Sequence, residues 1–210
     1  MSADRPDAEH RVTFAGSELD RYRHVCAFVH GDEQDAVLDP FVAEGVDEGD
    51  RLLFLVDPLR AGAPVHRLRS LGYSPTELLT EGRCEVRTWN ETYLRGGDFD
   101  QDGMLDLLGE LLAERDGQRV RMVADMEWAA SDGGETLDDL IEFESRANFI
   151  HARHSHVVVC VYDLQRFGGS FVIDVLRTHP VVLIHGALHE NPFFVPPEQF
   201  VRERARRTAR

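Results

Sequence analysis

The sequence predicts an α/β fold with a mostly parallel central sheet and helices on both of its faces. Apolar runs of strand length recur along the chain, and the clearest is the Leu-Leu-Phe-Leu-Val segment between Arg51 and Asp57. Almost unbroken runs of this kind are typical of strands buried on both faces. They alternate with segments whose apolar residues follow helical spacing, which indicates a parallel sheet. The 210 residues, 42% of them hydrophobic, suit one domain with a full core.

The elements follow one another without a recognisable linker. The predicted strands cover 24–29, 51–57, 84–89, 119–126, 157–162 and 181–184. The predicted helices cover 33–43, 64–71, 101–115 and 135–153. Pro40 should kink the first helix or force it to begin again, because proline disrupts the preceding helical turn. We expect a flexible tail over 1–17, one domain over 18–200 and a basic tail over 201–210, interpreted as a solvated, fraying helix end.

The composition excludes several classes of function. A net charge of −15 argues against direct nucleic-acid binding, which needs clustered positive charge. All basic residues are arginine, so neither a Schiff-base lysine nor the lysine of a nucleotide-binding P-loop exists here. Cys26, Cys84 and Cys160 form no closely spaced pair, which favours reduced thiols and a cytoplasmic location. No segment approaches the roughly 18 apolar residues of a membrane span, so no membrane association is expected.

Candidate ligand-binding residues follow the predicted strands, because ligands of open parallel sheets bind at the carboxyl ends of the strands. These candidates are His30, Asp32, Asp57, Asp125, Glu127, Trp128, Tyr162 and Asp163. Acids at such positions also commonly cap the turn or helix that follows. Each carboxylate therefore has a structural interpretation beside the functional one.

Candidate metal ligands lie on the first predicted strand. His24, Cys26, Phe28 and His30 alternate along it and should point to one face, and histidine with cysteine is a donor set for zinc or another soft metal. His24 and His30 would lie about 20 Å apart at 3.3 Å per residue, so one ion would instead need Cys160 or another residue of a neighbouring strand. The alternative is that the cysteine is an inert, buried apolar residue.

The remaining histidines give weaker indications. The spacing of His151, His154 and His156 favours a solvated helix end over a metal site. His179, His185 and His189 lie around the last predicted strand, where they could orient the C-terminal segment or line a pocket.

The first part of the chain resembles the start of KaiC-type RecA-like ATPases. A strand, the segment Phe41-Val-Ala-Glu44-Gly45, an acidic turn and a buried strand follow one another as they do there. The position of the phosphate-binding loop instead reads His-Gly-Asp-Glu-Gln-Asp over 30–35. It lacks the glycine run and the lysine of a phosphate cradle, and its acids would repel a triphosphate, so ATP is not expected as a cofactor.

A fuller resemblance is to the methanogen/methylotroph sensory domain, MEDS, a family of RecA-like signalling modules without a working P-loop. The similar pieces are His24-Val-Cys26, Phe41-x2-Glu44-Gly45, Tyr93-Leu-x-Gly-Gly-x-Phe99, Arg121-Met-x-x-Asp-Met-x-Trp128, Phe143-Glu144, Cys160-x-Tyr-Asp163, Thr178-His-Pro180 and Glu190-Asn-Pro192. The resemblance implies a RecA-like three-layer sandwich, a role in signal transduction and the sensing of small hydrocarbon derivatives. It also places Cys26 and Cys160 on adjacent strands, with Cα atoms within roughly 10 Å.

Three functional hypotheses follow. The first is a sensor whose pocket is lined by His30, Asp125, Trp128, Tyr162 and Asp163 and which passes its signal to a separate regulatory protein. The second is a ligand-free adapter that binds an anti-sigma factor or a histidine kinase. The third is a divergent metal-dependent hydrolase, with Asp125 as metal ligand and Glu127 as base. The ligand, the metal, if any, and the formation of a homodimer stay open.

Overall fold

The computed structural model describes residues 12–14, 17–19, 24–31, 33–113, 118–131, 134–153 and 156–208. The strands are β1 (Val12–Phe14), β2 (Ser17–Leu19), β3 (His24–Val29), β4 (Arg51–Val56), β5 (Cys84–Thr88), β6 (Val120–Asp125), β7 (His156–Asp163), β8 (Val181–Ile184) and β9 (Ala187–Glu190). The helices are α1 (Glu33–Asp47), α2 (Ala63–Ser70), α3 (Pro75–Thr80), α4 (Gln101–Leu112), α5 (Gly134–His151), α6 (Gly169–Thr178) and α7 (Pro197–Thr208).

The central sheet has seven strands in the order β5-β4-β6-β7-β3-β8-β9. Its pairings are parallel from β5 to β8, and only the last strand, β9, is antiparallel to its neighbour. Cys26 on β3 lies directly opposite Cys160 on β7 in the register. The predicted mostly parallel sheet and the predicted adjacency of these two cysteines are therefore confirmed.

Two apolar layers cover the sheet, one on each face. Along β3, Cys26 belongs to the core shared with α4, α5 and α6, whereas Val25 and Ala27 belong to the core shared with α1 and α2. All six residues of β4 are buried. Leu53 and Leu55 belong to one core, and Leu52, Phe54 and Val56 belong to the other. This double burial explains the unbroken apolar runs in the sequence.

The structure corrects some of the predicted boundaries. Helix α1 is continuous through Pro40 as far as Asp47, so it does not begin again there. Helices α3 and α6 and strands β1, β2 and β9 were not predicted, and β1 lies within the segment expected to be a flexible tail, with Phe14 fully buried. The start of α3 carries a local signal, because the Ser74 hydroxyl accepts a hydrogen bond from the Glu77 N–H and Pro75 occupies the first helical position. Helix α7 extends over much of the predicted basic tail, and its Phe200 is buried in the core.

An ion network ties the amino ends of β4 and β6 to the end of α1. Arg121, which is 1% exposed, donates from Nε to Asp50 Oδ2 at 2.7 Å and from a terminal nitrogen to Glu48 Oε2 at 3.0 Å. Gly45 on α1 lies against this arginine, and a Cβ there would stand 2.7 Å from Arg121 Cδ and 2.9 Å from Leu52 Cδ2. The glycine is thus required by the close approach of a helix to two buried side chains.

Candidate functional site

Three of the predicted acids cap turns at the carboxyl edge of the sheet. Each accepts a hydrogen bond from the backbone N–H two residues further along the chain, with lengths of 2.8 Å for Asp57, 3.0 Å for Asp125 and 2.9 Å for Asp163. The structural interpretation therefore accounts for one oxygen of each carboxylate. Asp32 lies outside the described residues.

Asp125 and Glu127 come together around an arginine. Arg60 places one terminal nitrogen 3.8 Å from a carboxylate oxygen of each. Burial, followed by the negative charge of Glu127, raises the pKa of Asp125 to about 6. The cavity beside Asp125 has a volume of about 30 Å³, room for about one water molecule. The guanidinium thus stands where the hydrolase hypothesis would need a metal ion.

The two predicted aromatic ligand residues point into the core. Trp128 is 2% exposed and packs against Tyr93 and Phe99 at ring-centroid distances of 4.9 and 4.7 Å. Tyr162 is fully buried, and its hydroxyl donates to Glu144 Oε1 at 3.0 Å. Both rings belong to the core shared with α4, α5 and α6, whereas His30 and Asp125 line two separate cavities. The residues expected to line one pocket therefore occupy different environments.

His30 lines a larger cavity at the carboxyl end of β3. The cavity has a volume of about 590 Å³, within the range of small-molecule sites. Its apolar wall comes from β3, α1, the segment after β7, α6 and β8, and consists of Phe28, Ala36, Val37, Leu164, Val172, Leu176 and Ile184. Its polar lining residues are His30, Glu33 and His185. Sequence reasoning found His30 from its position after a strand, but the apolar wall combines residues of α1 and α6, which belong to the two different apolar layers of the fold.

The hairpin between β8 and β9 closes one side of this cavity. His185 and Gly186 form its two-residue turn and have φ angles of 49° and 76°. Positive φ at both central residues is the geometry of a type I′ turn, which matches the twist of the paired strands. The unusual backbone of His185 therefore has a structural cause, and the turn brings this histidine to the cavity.

A second group of polar residues is buried between the sheet and α5. His24, Glu144, Cys160 and His179 each offer one ligand atom, and these atoms lie within 4.8 Å of one another. The His24 Nε2 to Glu144 Oε2 distance is 3.0 Å, and the His179 Nε2 to Glu144 Oε2 distance is 3.6 Å. Cys160 Sγ lies 3.5 Å from His24 Nε2 and 4.0 Å from Glu144 Oε2. We call these four residues the histidine–glutamate cluster.

The other ring nitrogen of each histidine in the cluster has a partner. His24 Nδ1 lies 3.2 Å from Asn148 Oδ1, and the amide nitrogen of Asn148 donates to three backbone carbonyls. The amide oxygen is therefore the acceptor and His24 Nδ1 the donor. His179 Nδ1 donates to Val175 O at 2.9 Å. In the neutral form both histidines thus direct an unprotonated Nε2 towards Glu144.

Burial sets the protonation of the cluster. Burial lowers the pKa of His24 to about 4. Burial and the neighbouring charge of His24 together lower the pKa of His179 to about 3. Burial raises the pKa of the Glu144 carboxyl, and burial with the charge of Glu144 raises that of the Cys160 thiol. The protein interior therefore disfavours every charged form, so the contact of His24 with Glu144 is not an ordinary ion pair.

The metal candidates of the sequence are partly brought together. His24 and Cys160 belong to the cluster, whereas the Cys26 thiol contacts Val181 O at 3.7 Å. Sequence reasoning missed Glu144 as a partner, because its position on α5 reaches the strands only in the folded chain. No local feature of the sequence sets Glu144 apart from the other acidic residues of α5.

The prediction of a solvated histidine group at the end of α5 is wrong. His151 and His156 are both buried, and their Nδ1 and Nε2 atoms lie 2.8 Å apart. The His151 ring is 4.4 Å from that of His24 between centroids, so it extends the cluster. His154 lies outside the described residues.

Among the helices of the described residues, none has the length and apolar composition that crossing a membrane requires.

The strand order and the helices on both faces define a RecA-like α/β domain. The structure is similar to the crystal structure of the flagellar accessory protein FlaH from Methanocaldococcus jannaschii, with a TM-score of 0.52 and 14% sequence identity over 79% of this chain and 74% of that one. This similarity confirms the predicted fold class.

The sequence places the chain within a family. The family model MEDS, the methanogen/methylotroph, DcmR sensory domain, matches residues 23–180, and the chain belongs to this family. It is also 27% identical over 189 residues to the transcriptional repressor DcmR of Methylorubrum extorquens, and this match covers 85% of this chain and 67% of the repressor. The segment that the family model matches, residues 23–180, includes all four residues of the histidine–glutamate cluster.

Proposed function

We propose that the chain is a sensory module of transcription control that binds a small organic molecule in the cavity at the end of β3. Membership of a sensory family and similarity to a transcriptional repressor support the regulatory role. The cavity, with about 590 Å³ of space and a largely apolar wall, is the observation that carries the proposal. A separate regulatory protein would receive the signal.

The composition of the cavity favours a ligand with an apolar body and one polar group. Phe28, Val172 and Leu176 would contact the body of such a molecule, and burial of apolar surface provides about 25 cal/mol per Å². His30 and His185 would orient its polar group by hydrogen bonds. Uncharged hydrocarbon derivatives of a few carbon atoms meet both requirements.

Helix α6 offers a route for the signal. Its residues Val172 and Leu176 line the cavity. Its Arg177 makes an ion pair with Glu203 of α7 and lies over the Phe200 ring, 5.2 Å from the centroid. A ligand that moves α6 would therefore move α7, and the exposed surface of α7 would present the change to a partner.

The test is a titration with short-chain alcohols, halides and ketones, followed by calorimetry. Val172→Trp should fill the cavity and weaken binding at least tenfold, about 1.4 kcal/mol. Ile173→Trp is the matched control, because the neighbouring Ile173 is 60% exposed on the same helix and should bind as the wild type does. Equal affinities of the two variants for a bound compound would show that the ligand binds elsewhere. Binding of none of the compounds would argue against this ligand class.

A further inference from the structure

We infer that His24, Glu144, Cys160 and His179 form a buried binding site for one divalent transition-metal ion, with zinc as the expected metal. The four ligand atoms come from β3, α5, β7 and the segment that follows α6, and they converge within 4.8 Å. This site is separate from the organic-ligand cavity and does not depend on the proposed function.

The distances between the ligand atoms fit tetrahedral coordination. Bond lengths of about 2.0–2.1 Å to nitrogen and oxygen and about 2.3 Å to sulfur place neighbouring ligand atoms roughly 3.3–3.6 Å apart. The measured separations are 3.0 Å from His24 Nε2 to Glu144 Oε2, 3.6 Å from His179 Nε2 to the same oxygen and 3.5 Å from Cys160 Sγ to His24 Nε2. The Cys160 Sγ to Glu144 Oε2 distance is longer, at 4.0 Å, and the four ligand atoms lie within 4.8 Å of one another. Side-chain shifts of up to about 1 Å would therefore complete the geometry.

The orientation of the imidazole rings favours a cation. Both Nδ1 atoms are donors to a fixed acceptor, Asn148 Oδ1 for His24 and Val175 O for His179. This leaves both Nε2 lone pairs directed at a carboxylate oxygen, and His179 Nε2 has no hydrogen-bond partner among the described residues. Lone pairs that face a carboxylate repel it unless a proton or a cation lies between them. An outer hydrogen bond that fixes the tautomer is also the usual arrangement around histidines that bind metals.

The charges balance. Cys160 as a thiolate and Glu144 as a carboxylate carry two negative charges, which neutralise one divalent cation. A neutral site can be buried at much lower cost than an isolated charge, and all four side chains are at most 3% exposed. On binding, bonds to the metal form at Cys160 Sγ and Glu144 Oε2 as the thiol and the carboxyl group each release a proton to solvent, and no electron is transferred.

Tyr162 and Asn148 would support the site from outside. The Tyr162 hydroxyl donates to Glu144 Oε1 at 3.0 Å, so it holds the carboxyl group with Oε2 towards the histidines.

The competing interpretation is a metal-free network in which Glu144 keeps a proton and shares it with His24. The two interpretations differ in metal content and in the role of the Cys160 sulfur.

The first measurement is the metal content of the full chain, purified without added metal. We expect about one zinc ion per chain, and we expect chelators to remove it only after unfolding, because the ligands are buried. The second measurement is refolding with Co²⁺, which should produce a thiolate-to-cobalt charge-transfer band in the near ultraviolet. Another divalent transition metal in the same ratio would support the same site.

The matched variants are Cys160→Ala and Cys26→Ala. Both remove a buried thiol on adjacent strands at the same register position, so their costs in packing should be similar. Only Cys160→Ala should lose the cobalt band and the retained zinc. If that variant does not fold, judged by circular dichroism, Glu144→Gln keeps the shape and should still lower the metal content. A wild-type protein that holds no metal and shows no cobalt band after refolding, or a band that persists in Cys160→Ala, would overturn the inference.

Discussion

Gly45 tests how tightly α1 packs on the sheet. Gly45→Ala adds a single carbon atom within a helix, where alanine is ordinarily favoured over glycine by about 1 kcal/mol. The added Cβ would stand 2.7 Å from Arg121 Cδ and 2.9 Å from Leu52 Cδ2, well inside the optimal carbon separation of about 3.5–4.0 Å. Both neighbours are 1% exposed, so neither can move into solvent.

The cost of this contact should exceed the gain in helix propensity. Forcing a methyl group into a packed core costs about 1–3 kcal/mol. Arg121 is also held by Asp50 and Glu48, and displacing it would weaken a buried ion network, which costs more. We therefore expect Gly45→Ala to lower the free energy of unfolding by about 2 kcal/mol.

Gly109→Ala is the matched control. Gly109 also lies within a helix, α4, and a Cβ there meets nothing within 4 Å. This variant should gain about 0.5–1 kcal/mol from propensity alone. Urea unfolding followed by circular dichroism gives both free energies by linear extrapolation. If Gly45→Ala were as stable as Gly109→Ala, the packing argument would be refuted, and α1 would have room to move away from β6.

Two further predictions concern the stability of the fold. The pKa of the Asp125 carboxyl in the folded protein, about 6, lies above its ordinary value of 3.8. The folded protein therefore binds the carboxyl proton more tightly than the unfolded chain does. The stability that this proton contributes is lost as the pH rises from about 4 to about 6. Asp125→Asn has no such proton to lose. In urea unfolding, its free energy of unfolding relative to that of the wild type should rise by up to about 3 kcal/mol between about pH 4 and pH 7. A difference between the two proteins that does not change with pH would contradict the raised pKa of Asp125. Phe200→Ala should cost about 3–4 kcal/mol because Phe200 is 1% exposed, whereas Phe193→Ala, at a side chain 65% exposed, should change the thermal midpoint little. Similar effects of the two substitutions would mean that α7 is not anchored by Phe200.

The sequence predicts the sheet better than it predicts the sites. The apolar runs from Val25 to Val29 and from Leu52 to Val56 are buried on both faces, and burial of this kind is visible as a local pattern. Amphipathic α6 was not predicted, and part of α7 was treated as a tail. Both helices are short, and the nearby Pro180 and Pro197 weaken the helical pattern of the sequence. Their packing, through Phe171 and Phe200, is a property of the tertiary structure.

The buried cluster could be predicted only in part, for a related reason. His24 and Cys160 were recognisable because both lie on predicted strands, and the resemblance to RecA-like proteins placed those strands side by side. Glu144 and His179 are 35 residues apart in the chain. They meet because α5 and the end of α6 pack on the same face of the sheet. A carboxylate on a helix has no local feature that distinguishes a buried partner from a solvated one.

The position after β3 differs from the corresponding position of RecA-like ATPases. In RecA-like ATPases the first strand leads to a glycine-rich phosphate loop, and that loop needs backbone N–H groups and a cation. In this chain the corresponding position opens onto a cavity lined by Phe28, Ala36 and Val37, with Glu33 at the start of α1. Among the described residues that line it, none is an arginine. An acidic side chain at that helix end competes for the place that a phosphate would take. The apolar wall and the acidic helix end would suit an uncharged organic ligand better than a triphosphate, in agreement with the sensory function proposed above.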